Sequence, residues 1–148
     1  MIFAYYVVNT VATFEEEPPT LEYWRERLDT LTALGLPFLV IESQGRIAGF
    51  AYAAQWRPMP AYRYTVADTI YVAPGLTGLG LGRTLLNGLL ERCTAAGMRQ
   101  VVAVIADPTN SSSPALHRAS GFTEVGTFKK VGFKHGRELD TLLLQRSL

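Results

Sequence analysis

The segment Val72-Ala73-Pro74-Gly75-Leu76-Thr77-Gly78-Leu79-Gly80-Leu81-Gly82-Arg83-Thr84 carries the strongest chemical signal in the chain. It leads from a strand-like stretch into a helix-like one. A helix N-terminus presents unpaired backbone N–H groups and the positive end of a dipole, so it holds anions. Glycines there let the main chain approach a phosphate with no Cβ in the way. A P-loop requires Gly at position 77 and Lys at 83, where the chain has Thr77 and Arg83. A dinucleotide fingerprint read from Gly78 requires Gly at 83, and one read from Gly80 requires it at 85, where Arg83 and Leu85 stand. Both nucleotide patterns fail, which leaves another phosphate-bearing ligand or a merely flexible turn.

The elements around this loop follow from periodicity. Thr20 caps a helix that carries Leu21, Trp24, Leu28, Leu31 and Leu34 at three- and four-residue spacing and stops at Gly35-Leu36-Pro37. Phe38–Ile41 and Ile47–Ala53 read as a hairpin about the turn Ser43–Arg46. Pro58 and Pro60 make Trp56–Tyr62 a loop, and Tyr64–Val72 returns to strand composition. The glycine loop then opens a helix with Leu81, Leu85, Leu86, Leu89, Leu90 and Cys93 on one face, ending at Gly97. Val101–Ile105 is uniformly apolar, the pattern of a strand buried on both faces. A polar loop, a short helix over Pro114–Ser120 and two strands, Thr123–Phe133 and Leu139–Gln145, complete the chain. Ile2–Val8 has strand propensity.

Composition limits the alternatives. A chain of 148 residues, 48% hydrophobic and 18% charged, folds as one domain over residues 1–148. A net charge of +1 gives no broad basic field for nucleic acid. No apolar run reaches about 18 residues, so no membrane span is expected. One cysteine and two histidines, without ligand spacing, point to no structural metal and to a reducing, cytoplasmic setting. Cys93 reads as a core residue and His135 as a structural or solvated one.

The glycine loop resembles the acyl-coenzyme A loop of the GNAT acetyltransferases, Arg/Gln-x-x-Gly-x-Gly/Ala opening a helix after a strand. Thr77-Gly78-Leu79-Gly80-Leu81-Gly82 matches its two glycine positions, with Thr77 where the family carries Arg or Gln. Five further segments resemble the phosphinothricin and methionine sulfoximine N-acetyltransferases: Asn9–Pro18, Trp56–Arg63, Thr65–Val72, Asn110–His117 with Gly121-Phe122, and Val131–Asp140.

The resemblance implies an α/β (α+β) fold: a mixed, mostly antiparallel sheet with a V-shaped splay between its central strands and helices on both faces. It implies acetyl-CoA as acyl donor, a small amino-acid-like amine as acceptor, and a homodimer. It also implies that the chain starts after the family's first strand, that Ile2–Val8 ends the first helix, and that the exposed strand edge favours either pairing with another chain or a start further upstream. Backbone amides from Leu79 to Thr84, among them Leu81, Gly82 and Arg83, would cradle the pyrophosphate, and main-chain groups of Tyr71 and Val72 would pair with pantetheine. Asn110 and Ser113 are candidates for hydrogen bonds to the same arm. Arg57 and Arg63 are candidates for gripping an acceptor carboxylate or phosphinate, since a guanidinium fork suits a two-oxygen anion. Tyr62 and Phe14 are candidates for walling the acceptor pocket, and Glu17 is the member of Glu15–Glu17 placed to face it.

Two departures touch the chemistry. A peptide α-amine has a pKa of about 7.7–8.0, so roughly a tenth is neutral at pH 7 and a base helps attack on the thioester. Relatives place a glutamate where this chain has Ala67. Asp68 is adjacent, but strand neighbours point to opposite faces, so it replaces that glutamate only if a bulge re-aims it. His117 stands where many GNAT enzymes use a tyrosine to protonate the thiolate, and a neutral imidazole near its ordinary pKa suits that step. A local carbonyl cap is its structural alternative. General-base help contributes roughly 10²–10⁴ in rate, whereas orienting two reactants contributes about 7–11 kcal/mol. The expectation is therefore an N-acetyltransferase acting by direct transfer, with a catalytically impaired acyl-CoA-binding protein as the alternative.

Overall fold

A computed structural model describes residues 1–148. Its six strands are β1 (Phe38–Ser43), β2 (Arg46–Gln55), β3 (Thr65–Val72), β4 (Gln100–Ala106), β5 (Thr123–Lys134) and β6 (Arg137–Ser147). They form one sheet in the order β1-β2-β3-β4-β6-β5, antiparallel throughout except between β3 and β4. Both hairpins close on two residues with positive φ: Gln44 and Gly45 (52° and 73°), and His135 and Gly136 (50° and 73°). That geometry matches the strand twist, and it explains why a glycine sits second in each turn.

Four helices cover the sheet: α1 (Ile2–Asn9), α2 (Leu21–Ala33), α3 (Leu81–Ala95) and α4 (Ser113–Ala119). The α1 segment has strand propensity but is helical because its aromatic side chains pack sideways onto β3. Phe3 and Tyr6 rings lie 5.0 and 4.9 Å from that of Tyr71, and the Tyr6 hydroxyl donates to the Val72 carbonyl at 2.6 Å. Thr20 caps α2 through the Tyr23 N–H, as its residue type predicts. Alternation sorts the residues of β2 and β3. Phe50, Tyr52, Thr69 and Tyr71 face α1 and α2, with Trp24 edge-on to Phe50 and Tyr52. Gly49 and Val72 face α3, whose Leu85, Leu86, Leu89, Leu90 and Cys93 are all buried.

Two expectations about burial are corrected. Leu21, Leu28 and Leu34 do not join Leu31 in the core: they lie on the outer side of α2, 47–67% exposed. The stripe on α2 is thus narrower than its leucines suggest, with Leu31 and half-buried Trp24 making the contact. In β4, Val101, Ala103 and Ile105 are buried, but Val104 is half exposed. Helices α1 and α2 stop short of that end of the sheet, so β4 is buried on one face only.

The decisive feature of the sheet is a pairing that ends early. β3 and β4 pair only over Thr65–Ala67 with Gln100–Val102, while β4 stays paired with β6 along its whole length, Gln100–Ala106 with Thr141–Ser147. Beyond Ala67 the two central strands diverge, and a wedge opens in the middle of the sheet.

Gly49 shows how tightly β2, β3 and α3 are joined. A Cβ there would sit 2.8 Å from the Tyr71 carbonyl oxygen, 3.0 Å from Leu85 Cδ1 and 3.3 Å from Ile41 Cγ2. Gly49→Ala is expected to lower unfolding stability by about 1–3 kcal/mol in urea denaturation with an unchanged m-value. Gly126→Ala, which adds its Cβ to open space, should change it by no more than about 0.5 kcal/mol.

Candidate active site

The wedge forms a cleft of about 200 Å³ lined by Asp68–Val72 of β3, Ala103–Ala106 of β4, Thr77 and Gly82 of the glycine loop, and Ser111–Ser113, Leu116 and His117. Tyr6 and Ala12 close its outer side, and a wider hollow of about 550 Å³ continues it past Asp107, Asn110, His135 and Arg137.

The strand register decides which main-chain groups face the cleft. Ala73 N–H donates to the Ala48 carbonyl and Trp56 N–H to the Thr65 carbonyl. Odd-numbered β3 residues therefore exchange hydrogen bonds with β2, and even-numbered ones turn their N–H and C=O groups toward β4. Past Ala67 no strand receives them, which leaves Ile70 and the Val72 N–H without a strand partner, while the Val72 carbonyl is taken by the Tyr6 hydroxyl. The expectation for Tyr71 is corrected on this point: its main chain is committed to Phe50, and Ile70 takes its place beside Val72. Tyr71 contributes its ring, and its hydroxyl, pushed up to about 12 by burial, lies 3.5 Å from the Ala12 carbonyl.

At the mouth of the wedge stands the N-terminus of α3. Gly75, Gly78 and Gly80 have φ of 82°, 77° and 81°, so the loop turns through the left-handed region three times. A Cβ at Gly78 or Gly80 would meet nothing within 4 Å, so backbone conformation, and not crowding by the protein, calls for glycine there. Gly82 differs, because its Cβ would come into ordinary van der Waals contact with Leu116 and Val72. Gly80 caps α3 without a side chain, and the first turn has no acidic residue. The N–H groups of Leu81, Gly82 and Arg83 thus have no partner within the helix. Leu79 and Arg83 are exposed beside them, and Thr84 turns its hydroxyl back to the Gly80 carbonyl.

At the wedge's apex lies a buried ion pair. His117 Nε2 is 2.7 Å from Asp68 Oδ2, with side chains 2% and 1% exposed. His117 Nδ1 lies 2.8 Å from the Ser113 carbonyl oxygen and 3.2 Å from the Ser113 hydroxyl. A carbonyl only accepts, so Nδ1 carries a proton, and a second proton is shared between Nε2 and the Asp68 carboxyl oxygen. Burial alone would depress the His117 pKa, but the Asp68 hydrogen bond and charge, with the Ser113 carbonyl, outweigh it and raise the value. The protonated form of His117 is thus favoured beyond that of an ordinary imidazole, and the residue also makes the local carbonyl contact. The β2–β3 register runs unbroken from Gln55–Val66 to Gly49–Val72, so no bulge re-aims Asp68. It stays on the α3–α4 side, opposite to Ala67, with Oδ1 buried and without a partner.

The remaining candidates fall elsewhere. Ser113 lines the cleft, whereas Asn110 lines the outer hollow with its amide nitrogen tied to Asp107 at 3.0 and 3.2 Å. Arg57 stacks on Trp56 and Arg63 binds the Pro60 carbonyl, both on an exposed loop with Tyr62, outside the cleft wall. Glu17 is exposed, and Phe14 lies across Gly132, where any Cβ would collide with its ring. Sequence reasoning missed Tyr6, Ile70 and Lys134. Lys134 is buried and donates to the Thr13 carbonyl at 2.9 Å, pinning the segment after α1 to the last hairpin. Burial lowers its pKa, with Glu16 and Glu15 working against that shift. Only tertiary placement separates this lysine from a hairpin cation.

The raised His117 pKa makes stability depend on pH. A folded pKa above the unfolded value of about 6.5 contributes stability that is complete below that pH and lost as pH rises through the folded value. Urea unfolding of the wild type is expected to weaken from about pH 6.5 upward more steeply than that of Asp68→Asn, which lacks the charge that raises His117. Parallel curves would contradict the pair.

This geometry agrees with known proteins. The model of the Acetyltransferase (GNAT) family matches residues 2–122. The phosphinothricin N-acetyltransferase of Alcaligenes faecalis is 46% identical over 99% of this chain and 75% of its own length. The L-methionine sulfoximine/L-methionine sulfone acetyltransferase of Pseudomonas aeruginosa is 38% identical over 96% and 83%. The crystal structure of a GNAT superfamily phosphinothricin acetyltransferase from Sinorhizobium meliloti in complex with acetyl-CoA, 47% identical, superposes with a TM-score of 0.94 over 99% of this chain and 80% of that one. An open wedge, an uncapped glycine-rich helix start and this likeness along almost the whole sequence lead to one conclusion: the chain belongs to the GNAT family of acetyltransferases.

Proposed function

We propose that residues 1–148 act as one domain that moves an acetyl group from acetyl-CoA to the primary amine of a small amino-acid-like acceptor by direct transfer. The observation that carries this reading is the coincidence, along one cleft, of three unmet needs: free amides at the start of α3, the β3 edge at Ile70 and the Val72 N–H that no strand pairs, and the partnerless Asp68 Oδ1. These fit a diphosphate, an extended amide-bearing arm and a proton-bearing nitrogen in turn. The relatives named for phosphinothricin and methionine sulfoximine supply the acceptor class.

Acetyl-CoA supplies an activated acetyl thioester. Amides from Leu79 to Arg83 would hold its pyrophosphate, the Thr84 N–H being committed to the Gly80 carbonyl, with Arg83 the adjacent cation, while Val72, Ile70 and Ser113 border the arm. The acceptor nitrogen bonds to the acetyl carbon and loses one proton as the carbon–sulfur bond breaks. Asp68 Oδ1 is placed to accept that proton, and the imidazolium of His117 to return one to the departing sulfur, so acetylated amine and free thiol leave with the pair restored. Orientation in the wedge is the larger contribution, which lets a site without the Ala67-position glutamate turn over. Ala67 also favours a second reading, a protein that binds acyl-CoA without turnover. Free-thiol release on a panel of phosphinothricin, L-methionine sulfoximine and L-methionine sulfone decides between the two.

We place this activity in the cytoplasm, where the lone thiol stays reduced, and in a homodimer. Edge strand β5 supports the dimer, since Phe128, Val131 and Phe133 are 55–70% exposed on it. Light scattering should give twice the chain mass. Asp68→Asn is expected to lower kcat/KM for the amine by roughly 10²–10⁴ and to flatten its pH profile while leaving the KM for acetyl-CoA unchanged. An unaltered pH profile would reject Asp68 as proton acceptor.

A further inference from the structure

The face of the sheet opposite to Asp68 holds a cation that has no assigned role. Arg27 projects from α2 toward Tyr52 of β2 and is half-buried. Its Nη2 donates to the Tyr23 hydroxyl at 2.6 Å, and its guanidinium carbon lies 5.3 Å from the centre of the Tyr23 ring and 5.7 Å from that of Tyr52. Tyr52 is 8% exposed and stands directly across the strands from Thr69, which lines the cleft and lies two residues from Ala67 on the same face.

Arg27 makes no salt bridge. Apart from His117 at the apex, the cations that do, Arg118, Lys129, Lys130 and Arg137, lie in or beside the last hairpin. Burial opposes the Arg27 charge, but the Tyr23 hydrogen bond, the two tyrosine rings and the field of Glu15 more than compensate, so the guanidinium stays charged. A desolvated fork clamped between two rings has its side-chain entropy already spent and its donors only partly used. Such a group favours a two-oxygen anion, which it binds bidentately. Arg57 and Arg63, on their exposed loop, lack this preorganisation.

We propose that Arg27, clamped between Tyr23 and Tyr52 behind the Thr69 side of β3, receives a two-oxygen anion of the acceptor, a carboxylate or a phosphinate, and so selects amino-acid-like amines. This rests on the acetyl-transfer reading above. Tyr23 and Tyr52 are positioning residues that hold the fork. The acceptor nitrogen then lies toward the wedge while the anion lies under α2.

The test compares phosphinothricin and L-methionine sulfone with their own α-carboxamides, in wild type, Arg27→Gln and Arg27→Lys. The wild type is expected to show a KM at least about tenfold lower for whichever form retains the anion that Arg27 holds. Arg27→Gln should erase that preference with the KM for acetyl-CoA unchanged, and Arg27→Lys should restore part of it. Loss confined to the carboxylate/carboxamide contrast assigns the carboxylate, and loss confined to the phosphinothricin/sulfone contrast assigns the phosphinate. Preferences equal in wild type and Arg27→Gln overturn the proposal, as does a wild type with no preference, a result that needs no variant to fold. Tryptophan fluorescence titration, reading Trp24 beside Tyr52, keeps the two ideas apart. Anion-selective binding without acetylation would sink the acetyl-transfer reading and keep Arg27, whereas turnover without anion preference would do the reverse.

Discussion

The three-residue pairing between β3 and β4 is the constraint on which the rest of the molecule depends. Parallel strands joined by a crossover helix ordinarily pair along their length, because an unmet backbone polar group inside a protein is costly. Here the pairing stops at Ala67 and Val102. Antiparallel partners on the outer sides, β2 for β3 and β6 for β4, hold each strand straight while the gap between them stays open. The sheet thereby keeps a row of unused donors and acceptors at its centre, and α3 begins where that row ends.

The same opening gives the buried ion pair its chemical sense. Ions taken out of water are stabilised only by good geometry and further hydrogen bonds. His117 has both, held by Asp68 on one nitrogen and by Ser113 on the other. Asp68, a residue of the cleft wall, meets the condition on one oxygen only, and its other oxygen is buried without a partner. The one buried side-chain polar atom left unmet thus sits at the apex, while Leu85, Leu86, Leu89 and Leu90 of α3 are packed.

Much of this was legible in the sequence, because the elements obey local rules. The glycine loop, the capped helix at Thr20 and the two tight turns are set by residues a few positions apart, and the structure follows them. The α1 segment was not decided by its own composition: Tyr6 and Phe3 become helical because Tyr71 and Val72 lie beneath them. Which β3 residues face the cleft depends on parity against β2, and one position separates Tyr71 from Ile70. Arg57 and Arg63 illustrate the limit of motif reasoning about charge. Their loop fixes their spacing, but only the packing of α2 shows that Arg27 is the guanidinium sheltered by rings.

The packing of α3 also bears on how the catalyst survives its own product. Each acetyl transfer liberates a thiol, and thiols exchange with oxidised partners to leave mixed disulfides on any accessible protein sulfur. Cys93, the chain's single sulfhydryl, is wholly enclosed beneath α3, and enclosure holds it protonated, with a pKa pushed up to about 12. A sulfur that neither ionises nor meets solvent offers no handle for such adducts, so repeated turnover leaves the polypeptide covalently clean.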